Sequence, residues 1–246
     1  MMNILILAAG LSSVDTLDNS YPFCLTELDG IPLIERLIQG CRSIGNDICF
    51  IVALREADIQ RYHLDNVVSL LAPDAKILRI RDSTKGAACT ALLAAEYIDS
   101  NDELLILNGN ELLDVNFFTV LEGFRQGKLD AGVVTFPSVH PRYSYVRLSD
   151  DHFVVEAAEK KPISRMATVG FYWFSRGQDF VRASQNMIRK DASVGGLYYI
   201  CPSLNEIVLE QGKIGTYPIN LSQFHPLKTE RQLNQFGIAF EQQRKY

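Results

Sequence analysis

The sequence predicts an α/β protein, a parallel sheet wrapped by helices with a second half richer in strands. Three observations carry that expectation. An apolar run, Asn3-Ile4-Leu5-Ile6-Leu7-Ala8-Ala9-Gly10, ends in three small residues, as a buried strand delivering a loop to a sheet edge would. Strand-like and helix-like segments then alternate through residues 1–136. Past His140-Pro141 short β-type pieces dominate. At 246 residues the chain is long enough for one large domain, and no repeat, linker or low-complexity tract divides it. A single domain over 1–246 is expected.

Each element has its own signal. After the opening strand and a polar loop, Pro32 opens a helix whose Leu33, Ile34, Leu37, Ile38, Cys41 and Ile44 recur at helical spacing, and Gly45 stops it. Residues 47–54 are nearly all apolar, hence a buried strand, and 56–71 read as helix. A strand at 76–80 leads into Thr84-Lys85-Gly86-Ala87-Ala88 and a helix through Ala91, Leu92, Ala95 and Ile98. Residues 103–107 form the next strand, ending in Asn108-Gly109-Asn110-Glu111. A helix over 115–125 and a strand over 131–136 follow. The second half shows strands at 143–148, 153–158 and 168–174, then helices at 178–189, 204–211 and about 230–243.

Composition excludes several classes of function. The 47% hydrophobic and 22% charged residues are those of an ordinary globular chain. A net charge of -5 argues against sequence-independent binding to nucleic acid, which needs a basic face, while leaving room for a small anionic substrate. No stretch approaches the roughly 20 apolar residues of a membrane span. The N-terminus lacks a basic start, and Asp15 and Asp18 follow soon, so it reads as a first strand rather than a signal peptide. Cys24, Cys41, Cys49, Cys89 and Cys201 are odd in number and scattered, which implies buried free thiols and a reducing, cytoplasmic setting.

Five stretches have the residue types for chemistry. The loop after Ala8-Ala9-Gly10 can turn backbone N–H groups toward a phosphate, although any strand–loop–helix would share that look. Gly86-Ala87-Ala88 would let a flat ring approach the chain closely. Asn108-Gly109-Asn110 ends a strand, and the same residues suit a plain β-turn. The segments His140-Pro141-Arg142-Tyr143-Ser144-Tyr145, Glu159-Lys160-Lys161-Pro162-Ile163-Ser164 and Ala167-Thr168-Val169-Gly170-Phe171-Tyr172 follow in close order. A glycine- and tyrosine-rich stretch, Ser193 to Glu206, comes last, and aromatic packing at a helix start would explain it equally well.

In order and spacing these motifs resemble the sugar-phosphate nucleotidyltransferases of bacterial capsule and lipopolysaccharide type, enzymes that join an NTP to a phosphorylated sugar or polyol and release pyrophosphate. The resemblance covers residues 3 to about 236. It implies a Rossmann-like, mixed but mainly parallel sheet flanked by helices, with a nucleotide-binding half (1–136) and a β-rich acceptor-binding half (137–246). It also implies nucleotide contacts at Ala8, Ala9, Gly10, Ser13, Gly86, Ala87 and Asn108, and acceptor contacts at Ser144, Tyr145, Glu159, Lys160 and Gly170. An active relative carries a loop arginine, a lysine after proline and an aspartate that holds Mg²⁺. Those positions here are Val14, Phe23 and Asn110, and the loop's second glycine is Ser12. Losing one such electrostatic group costs roughly 10²–10³ in rate. The expectation is therefore a protein with weak or lost nucleotidyl transfer and a retained acceptor pocket. Two alternatives stand beside it: an active enzyme with a site rebuilt from Lys85, Glu111, Asp114 or Lys161 and Mg²⁺, and a partner subunit, in a complex or a homo-oligomer.

Overall fold

The computed structural model describes residues 1–10 and 22–227. Ser12, Ser13 and Val14 of the loop, and the helix expected at about 230–243, lie outside the described residues.

The first half alternates as its periodicities require. Strand β1 (Met2–Leu7) is followed by a small hairpin, β2 (Glu27–Leu28) and β3 (Ile31–Pro32), then α1 (Leu33–Arg42) and β4 (Ile48–Arg55). Helices α2 (Glu56–Tyr62) and α3 (Leu64–Leu71), strand β5 (Lys76–Ile80), helices α4 (Ala87–Leu92) and α5 (Ala95–Ile98), and strand β6 (Glu103–Asn108) come next. Then follow β7 (Glu111–Leu113), α6 (Phe117–Gln126) and β8 (Ala131–Pro137). The second half holds β9 (Ser144–Leu148), β10 (Val154–Glu159), β11 (Met166–Phe174), α7 (Gly177–Arg189), α8 (Ile200–Leu209), β12 (Ile214–Pro218) and β13 (Phe224–Pro226).

A nine-stranded sheet joins both halves in the order β10-β9-β11-β6-β1-β4-β5, with β8 on the other edge of β11 and β12 beside β8. Its first-half ladders β6/β1, β1/β4 and β4/β5 are parallel, and β11 runs antiparallel to its neighbours. Strand alternation puts Ile4 and Ile6 in one apolar cluster with Leu33, Ile34, Leu37, Val68, Val120 and Leu121. Leu5, Leu104 and Ile106 face the opposite cluster with Ala91, Phe180, Val181 and Leu204. The result is three layers, helix on sheet on helix. None of the described helices is long and apolar enough to cross a membrane.

Several elements depart from the sequence expectation. The helix expected over 56–71 breaks at His63, which sits in the left-handed region at φ 53°. The helix after Gly86 is likewise split in two. Helix α8 starts four residues before the expected position because Pro202 occupies its first turn, where a missing N–H costs nothing. The short strands β2, β3, β7 and β13, and the five-residue β12, had too little alternation to be read from sequence.

The division of β11 positions the cleft. Its C-terminal half, Phe171 to Phe174, pairs with β6, while Ala167 and Thr168 pair with β9 on the same side. Val169 and Gly170 lie between the two ladders, so the sheet parts there, beyond the C-terminal ends of β1 and β6. In open α/β sheets that end is where ligands bind.

Candidate active-site cleft

A cleft of about 770 Å³ opens at this parting of the sheet. Ala9, Gly10, Ser83, Thr84, Gly86 and Ala87 line it from the first half, with Asn108, Asn110 and Glu111 at the end of β6. Arg142, Tyr143, Ser144, Glu159, Lys160, Thr168, Val169, Gly170 and Tyr172 line it from the second half, and Leu197, Tyr199, Ile200 and Cys201 close one side. Most of the residues implied by the resemblance thus meet at one place.

Close backbone contacts join the motifs into a floor. Gly109 donates its N–H to the Leu7 carbonyl (2.9 Å), and a Cβ there would lie 2.8 Å from that oxygen. Gly86, at φ +106°, sits on Tyr198: a Cβ would meet the Tyr198 carbonyl oxygen at 2.3 Å. On either side of Gly86, Tyr198 N–H donates to Lys85 and Ala88 N–H donates to Tyr198. At Gly170 a Cβ would stand 2.1 Å from the Asn108 amide nitrogen. The buried Glu111 carboxylate joins the two, accepting the Gly170 N–H at 2.6 Å and an N–H of the Asn108 amide at 3.3 Å. It therefore fastens β11 to the end of β6 at the place where the ladder between them stops.

The second-half wall carries the charge. Ser144 pairs with Glu159 across β9 and β10, and its hydroxyl donates to the Glu159 carboxylate. Regular alternation would place Lys161 on the face of Glu159. Lys160, however, has a left-handed backbone (φ 54°), and Lys160 rather than Lys161 lines the cleft. Its amine donates to the Tyr199 hydroxyl at 2.7 Å. Arg142 donates to the Tyr143 hydroxyl at 2.6 Å. Thr168 and Tyr172 share a hydroxyl–hydroxyl bond of 3.0 Å, and burial pushes the Tyr172 phenol well up from its ordinary value. Burial, with the Glu159 charge as a lesser cause, pushes the Cys201 thiol up to about 12, so it stays protonated and is no nucleophile at neutral pH.

Some expected residues do not reach the cleft. Tyr145 is fully buried, and its hydroxyl donates to the His140 carbonyl, so it belongs to the core. Tyr143 lines the cleft instead, from the turn that precedes β9. Ala8 and Phe23 line a narrow adjoining cavity of about 30 Å³, which shares Leu7, Gly10 and Asn110 with the cleft and is closed by Arg55 and Asp58. The Arg55 guanidinium there binds both oxygens of the buried Asp58, at 2.7 and 2.9 Å. Lys85 and Lys161 are exposed and absent from the lining. Asp114 pairs with His225 at 2.7 Å away from the cleft.

The residues around Asn110 do not fit a protein-held Mg²⁺. The ion prefers carboxylate oxygen, and Asn110 offers a neutral amide. Glu111 has both carboxylate oxygens engaged by N–H donors. Among the described residues no group of three or more His, Cys, Asp or Glu could hold a metal.

The last motif is largely structural. The Gly195-Gly196 pair has positive φ at both residues and turns the chain between Val194 and Leu197. Asn205 caps β10 and Glu206 pairs with Lys190 at 2.7 Å. Leu197, Tyr199, Ile200 and Cys201 from this stretch line the cleft, Tyr199 bonding Lys160, while Tyr198 supports the Gly86 turn. Arg142, which also lines the cleft, has no role legible in sequence, because an exposed arginine carries no pattern signal of its own.

Comparison with known proteins agrees with this architecture. No family model matches the chain. The bifunctional protein GlmU of Thermotoga sp. (strain RQ2) is 26% identical over 213 residues, covering 83% of this chain and 44% of that protein. The chain thus spans less than half the length of the curated relative it matches. Among solved structures, the nucleoside-diphosphate-sugar pyrophosphorylase of Vibrio cholerae RC9 superposes with a TM-score of 0.78 at 19% identity, over 97% of this chain and 100% of that one. A UDP-glucose pyrophosphorylase complexed with UDP-glucose gives 0.76 at 13% identity, over 99% of each. The fold is that of the sugar-phosphate nucleotidyltransferases, as the motifs led us to expect.

Proposed function

We propose that this chain is a nucleotidyltransferase-like protein that binds a phosphorylated sugar or polyol, with NTP-dependent transfer weak or lost. Its setting is the sugar-nucleotide metabolism of surface polysaccharides, capsule or lipopolysaccharide, in the cytoplasm. The observation that carries the reading is the charge pattern of the cleft. Its second-half wall keeps Ser144, Glu159, Lys160 and Gly170 together, with the Lys160 amine held by a neutral tyrosine hydroxyl. Its first-half side has small residues for a base and a phosphate, but Phe23 and Asn110 where transfer needs a cation and a metal-binding carboxylate.

In the family's reaction an acceptor phosphate oxygen attacks the α-phosphorus of an NTP, a phosphoanhydride forms and pyrophosphate leaves. That step requires charge stabilisation at the α-phosphate. Of the residues that could rebuild it, Glu111 is committed to Gly170 and Asn108 and Asp114 to His225, Arg55 near Phe23 is bound to Asp58, and Lys85 and Lys161 lie outside the cleft lining. Acceptor binding needs only the second-half wall, a point charge for phosphate and acceptors for hydroxyls.

Thermal unfolding with hexose 1-phosphates, and with NTPs with and without Mg²⁺, tests the proposal. A sugar phosphate at 100 times its dissociation constant should add about 2.7 kcal/mol of stability, and Lys160→Ala should remove most of that gain. No shift with any of these compounds would overturn the binding reading in favour of a protein partner or a homo-oligomer. Release of pyrophosphate by the wild type with an NTP, Mg²⁺ and a sugar phosphate would overturn the loss of transfer and make the protein an active nucleotidyltransferase.

A further inference from the structure

We propose that Arg142 is a second phosphate-binding residue of this cleft, acting with Lys160 on the phosphate of the acceptor. The inference rests on the acceptor-binding reading above and extends it to a residue that no motif assigns. Arg142 and Lys160 are the two cationic side chains among the described residues lining the cleft. Carboxylates elsewhere hold Arg36, Arg55, Arg79, Arg125, Arg147 and Arg182, but neither of these two forms an ion pair among the described residues. Each is held instead by a neutral tyrosine hydroxyl, Arg142 by Tyr143 and Lys160 by Tyr199. That arrangement orients a cation without neutralising it.

The two cations are also brought together by the backbone. Lys160 N–H donates to the Tyr143 carbonyl at 3.0 Å, so Lys160 lies across from the residue that follows Arg142. The Tyr143 ring that supports Arg142 is itself fixed. It is 8% exposed and packs edge-on against Phe136, with ring centroids 4.9 Å apart. The guanidinium carbon lies 4.7 Å from the centroid of that ring. A guanidinium has five N–H donors in a planar fork, and Arg142 spends one on Tyr143. The remaining donors suit two oxygens of a phosphate, with the Lys160 ammonium as the point charge on a third. Glu159 and Ser144, next to Lys160, place this anion site on the acceptor side of the cleft.

The test compares wild type, Arg142→Ala and Arg142→Lys in titrations with inorganic phosphate, hexose 1-phosphates, the matching unphosphorylated hexoses, and ATP, CTP, GTP and UTP. Arg142→Ala should weaken the sugar phosphate and inorganic phosphate about 10- to 100-fold, the range for hydrogen bonds to charged groups. It should leave the unphosphorylated sugar and the NTPs within about twofold. Arg142→Lys should fall between, since it keeps the charge and loses the fork. Arg142 is exposed, so the variants should unfold at the wild-type temperature without ligand. Wild-type affinity for sugar phosphates retained in Arg142→Ala would overturn this inference alone. A loss confined to NTPs would overturn its assignment to the acceptor. A wild type that binds neither inorganic phosphate nor any sugar phosphate would overturn this inference and the acceptor-binding reading together.

Discussion

At Gly86 one backbone angle holds two motifs together. With φ at +106° and the Tyr198 carbonyl where a side chain would begin, the residue admits glycine alone. Gly86→Ala should cost about 2–4 kcal/mol, combining overpacking with a backbone conformation that L-residues avoid. Urea unfolding measures it, and a loss below about 0.5 kcal/mol would contradict the fit described here. The same scale separates Tyr143 from Tyr145. The motif placed a tyrosine in the acceptor wall, yet two candidates lie two residues apart in one segment. Only packing distinguishes them, since Tyr145 finds the His140 carbonyl and a fully buried position.

Among the elements, β10 shows how a sheet edge can be closed by a side chain. It is the outermost strand on its side, and an open edge exposes unpaired backbone groups. Asn205 of α8 answers at one residue with both of its groups: its carbonyl accepts Ala157 N–H and its amide donates to Ala157 C=O, each at 2.8 Å. Asn205→Ala should therefore cost about 2 kcal/mol, roughly 1 kcal/mol per hydrogen bond. It should also speed hydrogen exchange at the Ala157 amide well beyond any global change. Unaltered exchange at Ala157 would remove Asn205 from that role. In sequence this asparagine belongs to the stretch Ser193 to Glu206, read equally as ligand contact or helix-start packing; the strand it caps lies nearly fifty residues away, and that distance hides its use.

For the whole molecule, the thiols tie stability to pH. Cys24 and Cys41 are buried in one apolar cluster and Cys201 in the other, and all five cysteines are free. Burial pushes Cys24 and Cys201 up to about 12 from an ordinary value of 9.0, and pushes Cys41 up as well. The unfolded chain then releases these protons near pH 9 while the folded chain keeps them. The stability they contribute is complete below pH 9 and is lost as pH rises toward 12. Each thiol should withdraw on the order of 1 kcal/mol per pH unit in that window. Unfolding followed by fluorescence of Trp173, the single tryptophan, should give a markedly lower urea midpoint at pH 10.5 than at pH 8.5. Equal midpoints would show that the thiols are not sequestered as described.

Much of this was legible in the sequence because it depends on local periodicity. The strand 3–10, the buried run at 47–54 and the apolar stripe of α1 each contain enough repeats to declare their type. The order of motifs was sufficient to expect this fold and to gather Gly10, Gly86, Asn108, Glu159, Lys160 and Gly170 at one cleft. Tertiary structure decided what no window of residues contains. It parted the sheet at Val169 and Gly170, turned Lys160 rather than Lys161 into the cleft through one left-handed residue, and occupied Glu111 with the Gly170 amide. It also set Arg142, with no ion-pair partner among the described residues, in the lining of the same cleft as Lys160. Side-chain periodicity follows from the geometry of one segment. Which group faces a cavity, and whether its charge is already neutralised, depends on partners tens of residues away.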